Sequence, residues 1–254
     1  MRLHLVSDVH GAVEPLRRAG EGADALICLG DLLCFIDYFD YGGGVFGDVF
    51  GPQAVARLVE LRTAGRFPEA RDWSRSLWAS LPDSRAVIDA AIDKQYADLF
   101  AAMPSPTYAT YGNVDIPDRW ARHAHPGIQI LDGEVAEIGG VRFGFVGGGL
   151  ETPMRTPYEL SEDAFAAKVA ALGAVDVLCA HIPPAVAVLT YDVLARRLER
   201  GSTALSEAIA RHQPGLVFFG HVHQPLAARA RIGRTECINV GHFARTKEPY
   251  ILDL

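Results

Sequence analysis

The chain has 254 residues, 49% hydrophobic and 22% charged, with a net charge of −7 at pH 7. That length suits one large α/β domain, and the apolar content excludes a disordered protein. The acidic balance excludes strong sequence-independent nucleic-acid binding, which rests on clustered Lys and Arg, and no apolar run approaches the roughly 20 residues that cross a bilayer.

In chain order, residues 2–7 predict a short apolar strand, 12–19 a helix and 25–29 a second strand. This is a βαβ opening with a parallel pair. Loops that carry ligands lie beyond the carboxyl ends of such strands, so Asp8 and His10 after the first strand and Asp31 after the second arrive on one edge of the sheet. Residues 41–106 read as a mainly helical insertion, opened by Gly42-Gly43-Gly44, with helices over 52–64 and 84–103. In the second helix, Ile88, Ile92, Tyr96, Leu99 and Met103 recur at helical spacing as a core-facing stripe. Asp83 or Ser84 caps it, and Pro104-Ser105-Pro106 stops it. The insertion is expected to cover the site or to form an oligomer interface, which leaves room for a homodimer. Packing is the expected job of Trp73 and Trp78 within it, with a substrate pocket as the alternative.

Residues 107–111 form the next strand and run into Gly112-Asn113. Strands over 128–138 and 141–146 flank Gly139-Gly140, a dipeptide suited to a tight hairpin turn. A helix starts at Ser161 or Glu162 and runs to Leu172, and a strand over 175–179 leads to His181. A helix over 203–212 and a strand over 216–219 lead to His221, and 226–254 alternate like a set of antiparallel strands. Cys28, Cys34, Cys179 and Cys237 are dispersed in apolar runs and read as buried, reduced thiols.

Five short pieces carry the chemistry: Asp8-Val9-His10, Gly30-Asp31, Gly112-Asn113-Val114-Asp115, His181 in Ala180-His181-Ile182-Pro183-Pro184, and Gly220-His221-Val222-His223. Side chains at i and i+2 of an extended segment emerge on the same side, so His221 and His223 can each reach a different ion of a compact pair. Two dications about 3.5–4 Å apart need a shared anionic ligand, and Asp31 suits that position. The mixed nitrogen and oxygen donors suit Mn²⁺ first, or Fe or Zn²⁺, and disfavour a Ca²⁺ cage.

The five pieces in this order resemble the calcineurin-like metallophosphoesterases. Gly147-Gly148-Gly149, the run Thr156-Pro157-Tyr158-Glu159-Leu160-Ser161-Glu162, Gly201-Ser202 and Asn239-Val240-Gly241 are similar to blocks of the bacterial and archaeal branch. The resemblance implies a four-layer αββα sandwich of two mixed β-sheets flanked by helices, as a single domain over 1–254. It also implies two divalent cations, one completed by Asp8, His10 and His223 and the other by Asn113, His181 and His221, with Asp31 between them. With both cations, two carboxylates and a bridging hydroxide the centre carries a charge of +1, which attracts a phosphoryl group. The hydroxide is then the nucleophile that attacks phosphorus.

Val114 departs from the family pattern, which usually has histidine after the asparagine. That histidine helps the leaving group, and general-acid help is worth about 10²–10⁴ in rate. Without it a phosphodiesterase acting on a small phosphate ester is expected, with nucleotides among the candidates. The alternatives are a phosphomonoesterase, a nucleotide pyrophosphatase, or a non-catalytic metal-binding scaffold like the retromer subunit of the same fold. Asp115 is expected to orient a ligand or to serve as a turn residue before Pro117. His242 is expected to contact phosphate or to act as an acid. His123 and His125 are surface residues or substitute proton donors, while His4 and His212 read as structural. Gly147–Gly149 is either a phosphate cradle or a tight turn. A cytoplasmic location is expected, since Asp8 follows Met1 so closely.

Overall fold

The computed structural model describes residues 1–254. Two β-sheets stack face to face. In the five-stranded sheet, Arg2–Val6, Ala25–Cys28, Thr107–Ala109 and Ile128–Ile130 are parallel neighbours, and Tyr250–Asp253 pairs antiparallel with Arg2–Val6. In the six-stranded sheet, Val141–Val146, Val177–Ala180, Leu216–Phe219 and Thr235–Asn239 are parallel. Its edge strands, Glu134–Ile138 and Arg229–Ile232, are antiparallel.

Alternation within the strands builds the layers. Leu3, Leu5, Ala25, Ile27, Phe143, Phe145, Val177, Cys179 and Phe218 point into the space between the sheets. Their neighbours Val6, Leu26 and Cys28 point outward, onto Leu16, Tyr96, Leu99 and Phe100 of the helices Val13–Arg18 and Ser84–Ala102. On the other side Leu178, Val217 and Phe219 meet Phe165, Val169, Leu205 and Ile209 of Glu162–Leu172 and Thr203–His212. A strand with apolar residues on both faces is buried on both faces, and the result is the αββα sandwich. Asp83 and Ser161 cap their helices by accepting from Ala86 N and Ala164 N, as the N-terminal donors of a helix require.

Three features differ from the sequence reading. The run 128–138 is two strands in different sheets, because Gly133 turns the chain with φ 75°. The segment 226–254 does not form one antiparallel set, since its last strand crosses to the first sheet and pairs with Arg2–Val6. Within 41–106, Ser84–Ala102 belongs to the outer layer of the sandwich. The separate unit consists of Gly44–Phe50, Pro52–Thr63 and Phe67–Ala79, packed around Phe46, Val55, Leu58 and Leu61. The helix Phe67–Ala79, with Pro68 in its first turn, was not among the expected elements. At the first turn proline leaves no hydrogen bond unmade. Trp78 packs edge-on against Phe50 at 4.6 Å and Phe46 at 5.8 Å. No helix is long and apolar enough to cross a membrane.

Candidate metal centre

The parallel strands of both sheets deliver their following loops to one end of the sandwich. Asp8 follows Arg2–Val6, Asp31 follows Ala25–Cys28, Asn113 follows Thr107–Ala109, His181 follows Val177–Ala180 and His221 follows Leu216–Phe219. Four of the seven expected ligands have left-handed backbone: Asp8 at φ 56°, His10 at 39°, Asp31 at 53° and His221 at 66°. Such conformations cost about 1–3 kcal/mol each and persist where the surroundings over-determine them.

Glycines make that crowding possible. A Cβ on Gly30 would lie 2.0 Å from Gly112 N, one on Gly112 would lie 2.0 Å from Asp31 Oδ1, and one on Gly220 would lie 2.3 Å from Asp8 Oδ2. Glycine therefore precedes Asp31, Asn113 and His221: Gly30 and Gly112 bring two of these loops into backbone contact, and Gly220 lies against the Ser7 and Asp8 side chains.

The side chains fall into two groups that share Asp31. In one, His223 Nε2 is 3.2 Å from Asp8 Oδ1 and 3.4 Å from His10 Nε2, which in turn is 3.8 Å from Asp31 Oδ2. In the other, His181 Nε2 lies 3.4 Å from Asp31 Oδ1 and 3.0 Å from Asn113 Oδ1, and His221 Nδ1 is 2.9 Å from the same amide oxygen. Atoms that ligate a common ion at about 2.0–2.2 Å lie about 3–3.5 Å from one another, so both groups have the dimensions of a cation site.

Donor chemistry fits as well. His10 Nδ1 faces Leu33 O at 3.1 Å and His181 Nδ1 faces Leu29 O at 2.9 Å. A carbonyl only accepts, so these nitrogens carry the protons and leave Nε2 bare toward the cluster in the neutral ring. Asn113 Nδ2 donates to Thr156 Oγ1 at 3.0 Å, which turns Oδ1 inward. Lone pairs thus converge around two buried carboxylates. Burial opposes ionisation of Asp8, but His223, His181 and His10 outweigh it and hold this carboxyl well below the usual range. Burial likewise lowers His181, yet Asp31 and Asp8 raise it to about 9. Burial and then His181 push His221 down to about 4. The pocket favours positive charge at its carboxylates, as a cation site must.

Asp115 is fully buried and faces backbone donors instead of the cluster. It accepts from Asp31 N at 2.8 Å, Leu32 N at 3.0 Å, Leu33 N at 3.3 Å and Gly112 N at 2.8 Å. It thereby clamps two ligand loops together and does not reach the position of a reacting group. Burial and then the Asp31 charge push its carboxyl up, while the Gly112 and Leu33 N–H donors oppose this.

His242 stands against the cluster: its ring stacks on His223 at 3.8 Å and lies 5.6 Å from His10. Its nitrogen groups with those of His10 and His223 closely enough to hold an ion, a role that no motif spacing suggested. Burial and then His223 push its pKa down to about 3, so the ring is neutral at pH 7. That environment opposes a proton-donor role and is compatible with a phosphate contact.

Gly147–Gly149 cannot cradle phosphate, because its three N–H groups donate to Asp132 Oδ1, Tyr111 O and Tyr158 O. The turn is small because a Cβ on Gly149 would lie 2.7 Å from Asn113 Cβ. His123 packs against Phe100 and lies 3.5 Å from Asp93, while His125 faces Met103 O. Neither joins the cluster. His4 Nδ1 bonds Ala19 O. Thr156 and Glu159, which hold Asn113 in place, carry no ligand signature in the sequence. The four cysteines are buried and free.

The chain matches the family model of the calcineurin-like phosphoesterases over residues 1–225 and belongs to that family. It is therefore a metal-dependent phosphoester hydrolase of a family that normally carries a dinuclear divalent centre. Among solved structures, TT1561 of Thermus thermophilus is similar with a TM-score of 0.55 at 15% identity, over 99% of this chain and 98% of that one. This likeness shows a shared fold. A protein from Streptococcus pneumoniae TIGR4, described as a predicted phosphoesterase, matches 96% of this chain and 74% of its own at 12% identity and a TM-score of 0.35. A purple acid phosphatase from yellow lupin (Lupinus luteus) seeds gives 0.45 at 12% identity, over 100% of this chain and 46% of that one. No curated protein sequence matches the chain.

Proposed function

We propose that the chain is a dinuclear phosphodiesterase in which Asp8, His10, Asp31 and His223 hold one cation and Asp31, Asn113, His181 and His221 hold the other. The observation that carries this reading is the division of the Asp31 carboxylate, with Oδ2 toward His10 and Oδ1 toward His181. The donor set contains no thiolate and suits Mn²⁺. When bound, the cations supply Lewis acidity toward phosphoryl oxygens and lower the pKa of coordinated water.

The residues supply placement and charge. Val114 N donates to Asp31 Oδ1 at 2.9 Å, which fixes the shared carboxylate, while the Val114 side chain packs on the apolar cluster beneath. Position 114 therefore offers no proton to a leaving group. His242, neutral at pH 7, orients phosphate by hydrogen bonding. Departure without general-acid help favours esters whose alcohol leaves easily, and diesters over dianionic monoesters. A reducing, cytoplasmic setting accords with four free cysteines.

The test is steady-state hydrolysis by Mn²⁺-loaded protein of bis(p-nitrophenyl) phosphate against p-nitrophenyl phosphate, with Asp31→Ala alongside. Faster diester cleavage that disappears in the variant is expected. Faster monoester cleavage would reverse the assignment, and no turnover of either by metal-loaded protein would move the site to a scaffold role.

A further inference from the structure

Phe39 follows Asp31 by eight residues in the same loop and is 62% exposed. Hydrogen bonds close the loop around it. Asp37 Oδ1 accepts from Phe39 N at 2.8 Å and Asp40 N at 2.9 Å, and Val45 N and Phe46 N close back on the carbonyls of Cys34 and Phe35. Of the neighbouring aromatic residues, Phe35 packs against Trp78 at 6.1 Å, and the Tyr38 hydroxyl is held by Arg62. Phe39 approaches the histidines instead, with its ring 6.4 Å from that of His242, which is stacked on His223. The Arg245 guanidinium lies 4.2 Å from the Phe39 ring centroid. An exposed aromatic ring with a cation against it is a stacking surface at the edge of the metal centre.

We propose that Phe39, backed by Arg245, binds the aromatic ring of a phosphoester substrate, a nucleobase or aryl group whose phosphate sits at the cluster of Asp8, Asp31 and the histidines. This rests on the phosphoesterase reading above and adds the substrate class. Base–aromatic stacking is sequence-tolerant and strong enough to set affinity, at about 1–3 kcal/mol per ring. The phosphate would bind through the centre that all phosphoesters share, and the ring of Phe39 would select those that carry a π-system.

The test is calorimetric binding of benzylphosphonate and ethylphosphonate to Mn²⁺-loaded protein. The P–C bond of both resists hydrolysis, so binding is read without turnover. The wild type is expected to prefer benzylphosphonate by roughly tenfold. Phe39→Ala should remove that preference and leave ethylphosphonate affinity unchanged, while Phe39→Trp should keep it. An undiminished preference in Phe39→Ala, or equal affinities in the wild type, would overturn the stacking site and leave the phosphoesterase reading intact. Failure of the wild type to bind either phosphonate would overturn the anchoring of phosphate at the cluster on which this proposal rests, while hydrolysis of bis(p-nitrophenyl) phosphate tests the phosphoesterase reading separately.

Discussion

Asn113 donates from Nδ2 to Thr156 Oγ1 at 3.0 Å, and that bond decides which end of its amide faces His181 and His221. The Thr156 hydroxyl can accept because its own proton goes to Glu159 Oε1 at 2.7 Å. A partner outside the ligand set that orients a ligand is typically worth 10–100-fold in metal affinity. Thr156→Val should therefore weaken metal binding by roughly that factor without loss of fold, and Thr156→Ser should restore it. Competition with a chelating dye measures both, and a valine variant of wild-type affinity would count against the relay.

Glu159 organises this loop through four donors: Thr152 N and Oγ1, each at 2.7 Å, Thr156 N at 3.1 Å and Thr156 Oγ1. Burial raises its pKa, but the Thr152 and Thr156 donors outweigh it and the net shift is downward. A carboxyl with a depressed folded pKa contributes stability above its unfolded value and loses it as pH falls through the folded one. The stretch 152–160 should therefore loosen as pH drops below about 4.3. Hydrogen exchange across that stretch should show faster opening in acid for the wild type, and little pH dependence in this range for Glu159→Gln. Equal acid sensitivity in the variant would assign the loosening to other groups.

The glycines that precede the ligands make a graded prediction. Gly112→Ala drives a methyl group against Asp31, where Oδ1 would be 2.0 Å away and the backbone N 2.2 Å. Asp31 cannot retreat without leaving Asp115 and Val114. Gly22, unlike Gly112, has a positive φ, 80°, and nothing lies within 4 Å of its added Cβ. Gly22→Ala should cost about 1–2 kcal/mol from backbone strain alone and keep full metal binding. Gly112→Ala should lose metal and melt at a lower temperature than Gly22→Ala. Paired melts with metal analysis separate the two.

The seven proposed ligands come together because each sits one to four residues past a strand, so local pattern and spatial position coincide. Strand ends in parallel sheets bring such residues together whatever the helices do. What stayed hidden is non-local. Tyr250–Asp253 has the same alternation as its neighbours, and only its pairing with Arg2–Val6 in the other sheet reveals where it belongs. The break in 128–138 did have a signal, Asp132-Gly133, a dipeptide that favours a turn. Its weight becomes plain once Asp132 is seen bound by Lys168, Tyr158 and Gly147 N. Asp115 was readable as an acceptor, but not as a clamp on two loops, because its partners are backbone amides that no side-chain motif records. Phe39 and His242 meet across more than 200 residues of sequence.

Strain and like charge at the centre make its stability depend on cations. Asp8 and Asp31 are both buried within one cluster, and four of the proposed ligands hold left-handed backbone. An ion that binds only the folded state adds about 2.7 kcal/mol at a hundredfold excess over its Kd. Chelation should lower the melting temperature of the wild type, and Mn²⁺ should restore it. Asp31→Asn keeps an oxygen that can accept from Val114 N but removes one of the two charges. Its metal-free form loses the pairing of Asp31 with His181 and should melt at or below the metal-free wild type, show no rise with Mn²⁺, and lack hydrolase activity. Differential scanning fluorimetry with and without chelator reads the effect, and a Mn²⁺-dependent rise in Asp31→Asn equal to that of the wild type would remove Asp31 from the shared position.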